Sequence, residues 1–421
     1  MEWPADKIER KKVDDLIPYA RNARTHSDEQ VAQLAASIKE WGWTTPVLVD
    51  EDGEIIAGHG RVMAARKLNI DEIPTMTATG WSKAQKQAYI LADNQLPQNA
   101  GWDMDLLSVE MKDLDSEGFD LSLIGFDDDM MANMLVEETK GLTDEDAVPD
   151  VPDDPVTVEG DVWLLGNHRL MCGDSTARDS VDTLLNGAKA DLVFTDPPYN
   201  VDYKSRGKDA LLAKGIKNDA MSVKKFKEFL GKVMTNYFEA MRPLACIYVC
   251  HPDSASAPKL AFEESFASNF HKSSTIIWVK QSAGMGWQDY RSQHEPILYG
   301  WKPGEGNHGF YAGRDRTTVW EFKRDAQATY VHPTQKPVAL VEEGIKNSSK
   351  VDDIVLDLFG GSGSTLIAAE KNGRHSRLME LDPKYCDVIV QRWQDFTGKQ
   401  AQLEGSGGFF PTKKGMKQDA A

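Results

Sequence analysis

Two apolar runs in the second half of the chain each end in a loop of unusual composition. The run at 190–195 is followed by Asp-Pro-Pro-Tyr at 196–199, and the run at 354–356 is followed by DLFGGSG at 357–363. Short apolar runs bounded by Gly or Pro are typical of buried strands. A Gly-rich turn after such a strand lets a nucleotide-like ligand approach the backbone closely. The two loops therefore restrict this half of the chain to an α/β fold whose strand ends form a site.

The order of the other apolar segments supports the same fold class. Predicted strands cover 192–195, 246–250, 275–279, 297–299, 354–358 and 377–381. Predicted helices cover 223–241, 337–347, 364–371 and 384–396. Because strands and helices alternate, we predict a doubly wound α/β domain.

The loop at 196–199 has the groups needed to hold a planar base by its exocyclic amine. Such an amine is a poor nucleophile, because its lone pair is delocalised into the ring. Asp196 can accept a hydrogen bond from one N–H and the carbonyl of Pro197 from the other, which localises the lone pair. Pro198 stiffens the loop, and Tyr199 offers a face for stacking a base flipped out of the duplex. The loop therefore predicts methyl transfer to an amino nitrogen, with Asp196 stabilising the positive charge that develops there.

The glycine-rich loop predicts a nucleotide-like cofactor. Glu380 lies 17 residues after Gly363, at the end of the next predicted strand, where an acidic side chain can bind ribose hydroxyls. No lysine follows the glycines of 360–365, which excludes a phosphate-binding P-loop. The full G-x-G-x-x-G spacing is also absent, which disfavours a nicotinamide site.

Five short motifs in this half of the chain carry a family resemblance. In chain order they are Gly-Asp-Ser at 173–175, the loop at 196–199, His-Pro-Thr-Gln-Lys-Pro at 332–337, Phe-x-Gly-x-Gly at 359–363 and Glu-Leu-Asp at 380–382. With these motifs, the chain from about 158 to 398 resembles the amino-methylating DNA methyltransferases that use S-adenosylmethionine. The order of the motifs resembles that of the permuted beta group of this family.

The resemblance implies a Rossmann-like domain, S-adenosylmethionine as the cofactor and double-stranded DNA as the partner. It assigns catalysis to Asp196, Pro197, Pro198 and Tyr199. It assigns cofactor binding to Asp357, Phe359, Gly361, Gly363, Glu380, Thr334, Lys336 and Asp174. In this family Thr334 and Lys336 would hold the carboxylate end of the cofactor, and Asp174 would lie near its adenine. The resemblance also admits a homodimer and a restriction–modification role, but the sequence does not show whether a restriction nuclease accompanies the chain.

The methylated atom can be restricted further. Methylation at cytosine C5 needs a thiolate, usually after a proline, and none of the four cysteines follows a proline, so this class is excluded. In the family, Asp at the first motif position accompanies adenine more often than cytosine. Asp196 therefore favours adenine N6, with cytosine N4 as the alternative and RNA as a further possible substrate.

The distribution of charge predicts where DNA binds. The net charge is −18, yet residues 113–161 hold one base and 17 acids, whereas residues 162–421 hold 34 bases and 31 acids. Nine bases lie within 203–232, where Lys204, Arg206 and Lys208 begin a predicted phosphate-binding stripe. We predict target recognition within 200–330. Arginines can read guanine edges, and the predicted contacts there are Arg291, Arg314 and Arg316.

The first hundred residues predict a smaller α+β domain. A capping box at Ser27 and Gln30 starts a helix to about 41, and a hairpin follows at 46–57. The boxes at 17–24, 46–49 and 58–65 resemble the ParB/sulfiredoxin-like domain. The segment has no cysteine, so sulfiredoxin activity is not expected, and of the Arg-rich nucleotide box only Arg61 remains. We interpret it as a DNA- or partner-docking module, with a ParB-like DNA-binding regulator as the alternative function of the chain.

These patterns predict the domain boundaries. They are a ParB-like domain at 8–100, a helical and then acidic, Pro-rich linker at 101–157, the methyltransferase domain at 158–400 and a disordered tail at 401–421. We predict no membrane span, no secretory signal and no metal site, because no long apolar run or paired Cys spacing is present. We expect a cytoplasmic protein of a bacterium or of a phage-infected host, since this domain fusion is associated with phages and mobile elements.

Overall fold

The computed structural model describes residues 3–136, 138–200, 220–253, 256–281, 289–312, 316–322 and 335–412. These residues form two compact units, one up to Met134 and one from Leu135 onward. None of the described helices is long and apolar enough to cross a membrane.

The first unit is a small α+β domain. Its elements are β1 (Ile8–Lys12), α1 (Asp28–Trp41), β2 (Val47–Val49), β3 (Ile55–Ala57), α2 (His59–Lys67), β4 (Glu72–Thr77), α3 (Lys83–Gln95), α4 (Met104–Ser116) and α5 (Asp128–Leu135). The sheet has the order β1-β4-β2-β3. The predicted first helix and hairpin are confirmed: the Ser27 hydroxyl accepts a hydrogen bond from the Gln30 backbone N–H at 3.1 Å, and β2 pairs with β3 in antiparallel fashion. Gly58 takes a left-handed conformation (φ 103°) that allows α2 to begin directly after β3.

The second unit contains a ten-stranded sheet. Its elements are β5 (Val162–Leu165), β6 (His168–Cys172), α6 (Arg178–Leu185), β7 (Ala190–Thr195), α7 (Val223–Ala240), β8 (Met241–Cys250), α8 (Ser256–Asn269), β9 (His271–Val279), β10 (His294–Trp301), β11 (Val319–Glu321), α9 (Val338–Ser348), β12 (Ile354–Asp357), α10 (Ser364–Lys371), β13 (His375–Glu380), α11 (Pro383–Thr397) and β14 (Gln402–Leu403). The strand order is β11-β9-β10-β8-β7-β12-β13-β6-β5-β14.

The five middle strands, from β8 to β6, are mutually parallel, as the near-continuous apolar runs predict. One buried cluster joins the sheet to α6, α7 and α8, and another joins it to α9, α10 and α11. Helices therefore cover both faces, which confirms the doubly wound α/β class.

The strand order reverses between β7 and β12. From β7 the chain passes through α7 to the neighbouring β8, whereas from β12 it passes through α10 to β13 on the other side. In open α/β sheets, ligands bind in the crevice at the carboxyl ends of the strands where the order reverses. The topology therefore places the loops that follow β7 and β12 at the two sides of one crevice.

The acidic segment at 143–155, which its composition predicts to be a linker, makes specific contacts with helices of the second unit. Glu145 pairs with Lys371 of α10, and the Asp146 carboxylate accepts a hydrogen bond at 3.0 Å from the backbone N–H of Val338, the first residue of α9. Two of the carboxylates that suggest a solvated chain are thus partners of a positive charge and of a helix N-terminus in the same unit. The charge count alone does not distinguish these two situations.

Residues 401–412 belong to the tail that is predicted to be disordered, but in the structure they pack on the second unit. The glycines after Glu404 make a turn, with Gly405 and Gly407 at positive φ (84° and 70°), and Phe410 returns to pack edge-on against Trp163. Phe410 is buried, and Glu404 forms a two-pronged ion pair with Arg169. The Gly-rich composition therefore forms a turn here and not a flexible end.

Phe410 provides the first prediction. Phe410→Ala should lower the free energy of unfolding of the second unit by about 3 kcal/mol, because it removes a buried ring and leaves a cavity beside Trp163. Phe409→Ala is the matched control, since Phe409 is 63% exposed and its loss should change stability by less than about 0.5 kcal/mol. Urea denaturation of both variants gives the comparison. Equal losses would show that the 401–412 segment does not pack as described.

Candidate active site

Four neighbouring parallel strands bring four acidic side chains to one edge of the sheet. β7 pairs with β12, β12 with β13, and β13 with β6, all parallel, so their carboxyl ends lie together. The residues at or just after these ends are Asp196, Asp357, Glu380 and Asp174. The sequence motifs at the four strand ends therefore form one continuous site.

Asp196 has partners for both carboxylate oxygens. Its Oδ1 accepts a hydrogen bond from the Tyr199 hydroxyl at 2.8 Å, and its Oδ2 lies 2.7 Å from the Lys336 ammonium nitrogen. Lys336 lies 3.0 Å from Glu295 Oε2, and Glu295 also pairs with Lys280. We call Asp196, Glu295, Lys336 and Lys280 the lysine–carboxylate cluster.

The charges of this cluster are strongly coupled. Burial raises the pKa of Asp196, and the neighbouring Glu295 adds to the increase, while Lys336 opposes it. Burial also acts to raise the pKa of Glu295, but Lys336 and Lys280 outweigh it and hold this pKa at about 2. The pKa of Lys336 is raised because the two carboxylates outweigh the effect of its burial. Glu295 and Lys336 are therefore charged at neutral pH.

Asp357 holds the glycine-rich loop in place through hydrogen bonds. Its carboxylate accepts hydrogen bonds from the hydroxyls of Thr195 and Thr365, both at 2.8 Å, and from the backbone N–H of Phe359 at 3.0 Å. Thr195 immediately precedes Asp196. The buried carboxylate therefore connects the end of β7, the loop and the start of α10.

The residues around this loop fit a nucleotide-like cofactor. Gly361 and Gly363 both have positive φ (52° and 89°), and a Cβ at Gly361 would meet no described heavy atom within 4 Å, so the backbone is open to a ligand there. The Glu380 carboxylate accepts hydrogen bonds at 2.9 Å from the backbone N–H groups of Gly361 and Asp382. Burial raises the pKa of Glu380. These contacts fix an acidic side chain beside an accessible turn, as ribose binding requires.

Asp357 also predicts a pH dependence of stability. Burial raises its pKa to about 7, whereas the pKa of an Asp in an unfolded chain is about 4. The folded state then holds the proton more tightly, so this group's contribution to the free energy of unfolding falls as the pH rises from about 4 to about 7. Asp357→Asn should flatten the dependence by up to about 1 kcal/mol per pH unit in that window. Urea titrations at several pH values test this, with Asp352→Asn as the control because Asp352 is 80% exposed; equal slopes in wild type and Asp357→Asn would contradict it.

The structure brings some of the predicted site residues together, whereas others lie elsewhere or outside the described residues. It brings Asp174, Asp196, Tyr199, Asp357, Phe359, Gly361, Gly363 and Glu380 to the same sheet edge. Lys336, predicted at the cofactor carboxylate, has its ammonium group in the lysine–carboxylate cluster, and its predicted contact with the cofactor stays a prediction. Thr334, Lys204, Arg206, Lys208 and Arg314 lie outside the described residues. Arg291 is exposed, and Arg316 lies 3.6 Å from Glu343; their DNA contacts stay predictions.

Glu295 and Lys280 resemble family positions near the substrate, but the sequence assigns neither of them a catalytic, cofactor-binding or DNA-binding role. Glu295 lies in β10, and Lys280 directly follows β9, which pairs with β10 in antiparallel fashion. Antiparallel neighbours bring the start of one strand beside the end of the other. Two opposite charges next to apolar strand segments are a sequence signal for such a pair, but the pairing of β9 with β10 must be known first.

Three family models match the chain. The N6/N4 methyltransferase model, described as DNA methylase, matches 190–391. The ParB N-terminal domain matches 3–94, and the ParB-methyltransferase helix-turn-helix domain matches 105–159. The segment predicted as a helical and acidic linker thus matches a domain model of its own.

Individual proteins are similar to the two parts of the chain. The ParB-like nuclease domain-containing protein YnaK of Escherichia coli is 60% identical over 81 residues, which are 19% of this chain and 93% of YnaK. The DNA adenine methyltransferase YhdJ of Escherichia coli is 28% identical over 238 residues, which are 48% of this chain and 75% of YhdJ. The crystal structure of the M1.HpyAVI–SAM complex is 22% identical, with a TM-score of 0.39, over 53% of this chain and 98% of that chain.

The family matches agree with the site at the carboxyl ends of the parallel strands. The DNA methylase model spans β7, the loop at 196–199, the glycine-rich loop and Glu380. The chain therefore carries a DNA methylase domain of the S-adenosylmethionine-dependent N6/N4 family, preceded by a ParB domain and a ParB-methyltransferase helix-turn-helix domain.

Proposed function

We propose that the chain methylates the N6 amine of adenine at specific sites in duplex DNA, acting on a base flipped out of the helix. The observation that carries this proposal is Asp196-Pro197-Pro198-Tyr199 at the end of β7, beside the glycine-rich loop at the point where the strand order reverses. Asp at position 196 favours adenine, and YhdJ, a similar protein, is named as an adenine methyltransferase.

Asp196 and Pro197 hold the amine of the flipped base in this account. The Asp196 carboxylate accepts one N–H and the Pro197 carbonyl accepts the other, which draws the nitrogen lone pair out of conjugation with the ring. As the nitrogen becomes positively charged, the negative charge of Asp196 stabilises it. The aromatic ring of Tyr199 stacks on the base and keeps it in plane with these acceptors.

The neighbouring strand ends hold the cofactor. S-adenosylmethionine supplies an electrophilic methyl group when bound. Glu380 accepts hydrogen bonds from its ribose, the backbone at Gly361 and Gly363 admits it closely, and Asp174 contacts its adenine. Asp357 and Phe359 shape the loop, while Thr334 lies at the cofactor's carboxylate end.

The parts of the chain divide the work. We assign the ParB-like domain at 8–100 to docking on DNA or on a partner. The methyltransferase domain extends from 158 past 400 to include Phe410. Target recognition lies within 200–330, with Lys204, Arg206, Lys208, Arg291, Arg314 and Arg316 contacting DNA. A homodimer and a restriction–modification role are compatible with this arrangement.

A mapping experiment tests the choice of base and the site specificity. A plasmid is incubated with the protein and S-adenosylmethionine, and single-molecule sequencing locates the modified bases. The proposal expects modification at adenines that share one short sequence. Modification confined to cytosines would replace adenine N6 by cytosine N4, a base that the family also methylates. Modification at scattered adenines would remove the site specificity.

A further inference from the structure

The substrate-binding oxygens of the proposed methyltransferase are not free in this structure. Oδ1 of Asp196 holds the Tyr199 hydroxyl and Oδ2 holds the Lys336 ammonium, at 2.8 and 2.7 Å. A base amine must therefore share or displace one of these donors. An ammonium group at hydrogen-bond distance occupies the kind of position that an amine N–H would take, since both are nitrogen donors to a carboxylate.

Both donors have Glu295 as a second acceptor, but Lys336 lies closer to it. Lys336 Nζ lies 3.0 Å from Glu295 Oε2, whereas the Tyr199 hydroxyl is 3.5 Å from the same oxygen. The side chain of Lys336 is 8% exposed, so it has little access to water as an alternative partner. Glu295 is in turn fixed by Lys280, which leaves its carboxylate in place whichever way Lys336 moves.

We propose that Lys336 is a place-holder for the substrate amine at Asp196, and that Glu295 is the positioning residue that takes over its ammonium group when the base binds. This inference rests on the proposed function. With the base bound, Asp196 directs its charge to the base amine, and Lys336 stays neutralised by Glu295. No covalent bond changes in this exchange; one ion pair replaces another.

The exchange has an electrostatic reason. Methyl transfer creates positive charge on the base nitrogen next to Asp196, and a second positive charge on the same carboxylate opposes it. If Glu295 did not hold Lys336, the ammonium would remain on Asp196 and would compete with the amine. If Lys336 had only a structural role, its ammonium group would not compete with the base amine. Rates of methyl transfer in variants can therefore distinguish the two roles.

The decisive experiment compares Glu295→Gln, Lys336→Met and the double variant. Single-turnover methyl transfer to mixed-sequence duplex DNA is measured at saturating cofactor and DNA. Glu295→Gln should lower the rate roughly 10- to 100-fold, because Lys336 is left on Asp196 alone. Adding Lys336→Met to Glu295→Gln should raise the rate again by at least about 5-fold, since the competing ammonium is gone. A double variant that is no faster than Glu295→Gln would overturn the place-holder role.

The pH profile of the rate gives a second readout. The groups that face Asp196 are Lys336, Glu295, Tyr199, Asp357 and Cys250. Removing Glu295 takes a like charge away from Asp196, so in Glu295→Gln the low-pH fall of the rate should shift to lower pH. Removing Lys336 takes an opposite charge away, so the same fall should shift to higher pH. This profile tests the charge coupling among Asp196, Glu295 and Lys336 even if the double variant does not fold. Shifts in the same direction, or no shift, would contradict the proposal.

Two controls separate this inference from the proposed function. Lys346→Met removes an exposed lysine whose partner, Glu138, is also exposed, and it should leave rate and pH profile unchanged. Wild-type protein must methylate the DNA; if it transfers no methyl group, the proposed function fails and this inference fails with it. If wild type is active but the double variant shows no recovery, only the inference is lost.

Discussion

Asp196→Ala is expected to reduce methyl transfer to DNA by roughly 10³-fold while leaving cofactor binding nearly unchanged. The variant removes the carboxylate that accepts the base amine and stabilises its developing charge. It leaves Glu380 and the glycine-rich loop untouched, because the contacts that fix them do not involve Asp196. A filter assay with labelled S-adenosylmethionine gives the rate, and calorimetric titration gives the cofactor affinity.

Asp182→Ala is the matched control for this variant. Asp182 is an exposed carboxylate that pairs with Arg178 on the surface of the same unit, so its loss should change the rate less than 2-fold by the small effect of surface pairs. Retention of more than about a tenth of the wild-type rate in Asp196→Ala would contradict the assigned role, given the size expected for such a group.

Glu380→Ala is expected to have the second large effect, which is a loss of cofactor binding on the other side of the crevice. The substitution removes two hydrogen bonds to backbone N–H groups, at Gly361 and Asp382, and the acceptor for the ribose. Hydrogen bonds to a charged group contribute about 1.5–3 kcal/mol each, so the Kd for S-adenosylmethionine should rise at least about 10-fold. Calorimetric titration with the cofactor measures it without any need for the DNA target.

Glu228→Ala controls for the loss of an acidic side chain in the same unit. Glu228 is exposed on α7 and should leave the Kd unchanged. An unchanged Kd in Glu380→Ala would place the cofactor away from the end of β13. The proposed site would then need to be redrawn, although the assignment of Asp196 would stand.

Much of the α/β core follows from the sequence because its signals are local. The predicted helix at 364–371 coincides with α10, and the one at 384–396 differs from α11 by one residue at each end. Each begins after a capping or glycine residue and has apolar positions at helical spacing. The motifs after β7 and β12 lie where the strand order reverses, but the reversal itself is known only from the structure.

The remaining features depend on contacts between distant residues. Glu145 and Lys371 are paired across more than two hundred positions, and Phe410 packs on Trp163 across a similar distance. Composition identifies an acidic stretch and a Gly-Ser stretch. It does not show that the first pairs with positive charges and that the second packs on an apolar surface elsewhere in the chain. The segments thus seemed unfolded, although their partners lie in the same unit.

The candidate site shows the same division. Asp196, Asp357 and Glu380 can be found because each ends an apolar strand in a recognisable motif. Glu295 resembles a family position near the substrate, but its role becomes visible only from the distance of 3.0 Å between its carboxylate and Lys336. Lys336 is found by motif, yet its partner Asp196 lies 140 positions away in the chain. Motifs therefore identify the residues, whereas the network that sets their charge requires the structure.

The most direct test of the central claim uses cofactor with a deuterated methyl group. The protein is incubated with this cofactor and duplex DNA of mixed sequence, the DNA is digested to nucleosides, and the products are identified by mass spectrometry. The account predicts deuterated N6-methyladenine with the wild-type protein and none with Asp196→Ala. Deuterated label in no nucleoside of duplex DNA, with cofactor binding demonstrated, would contradict it.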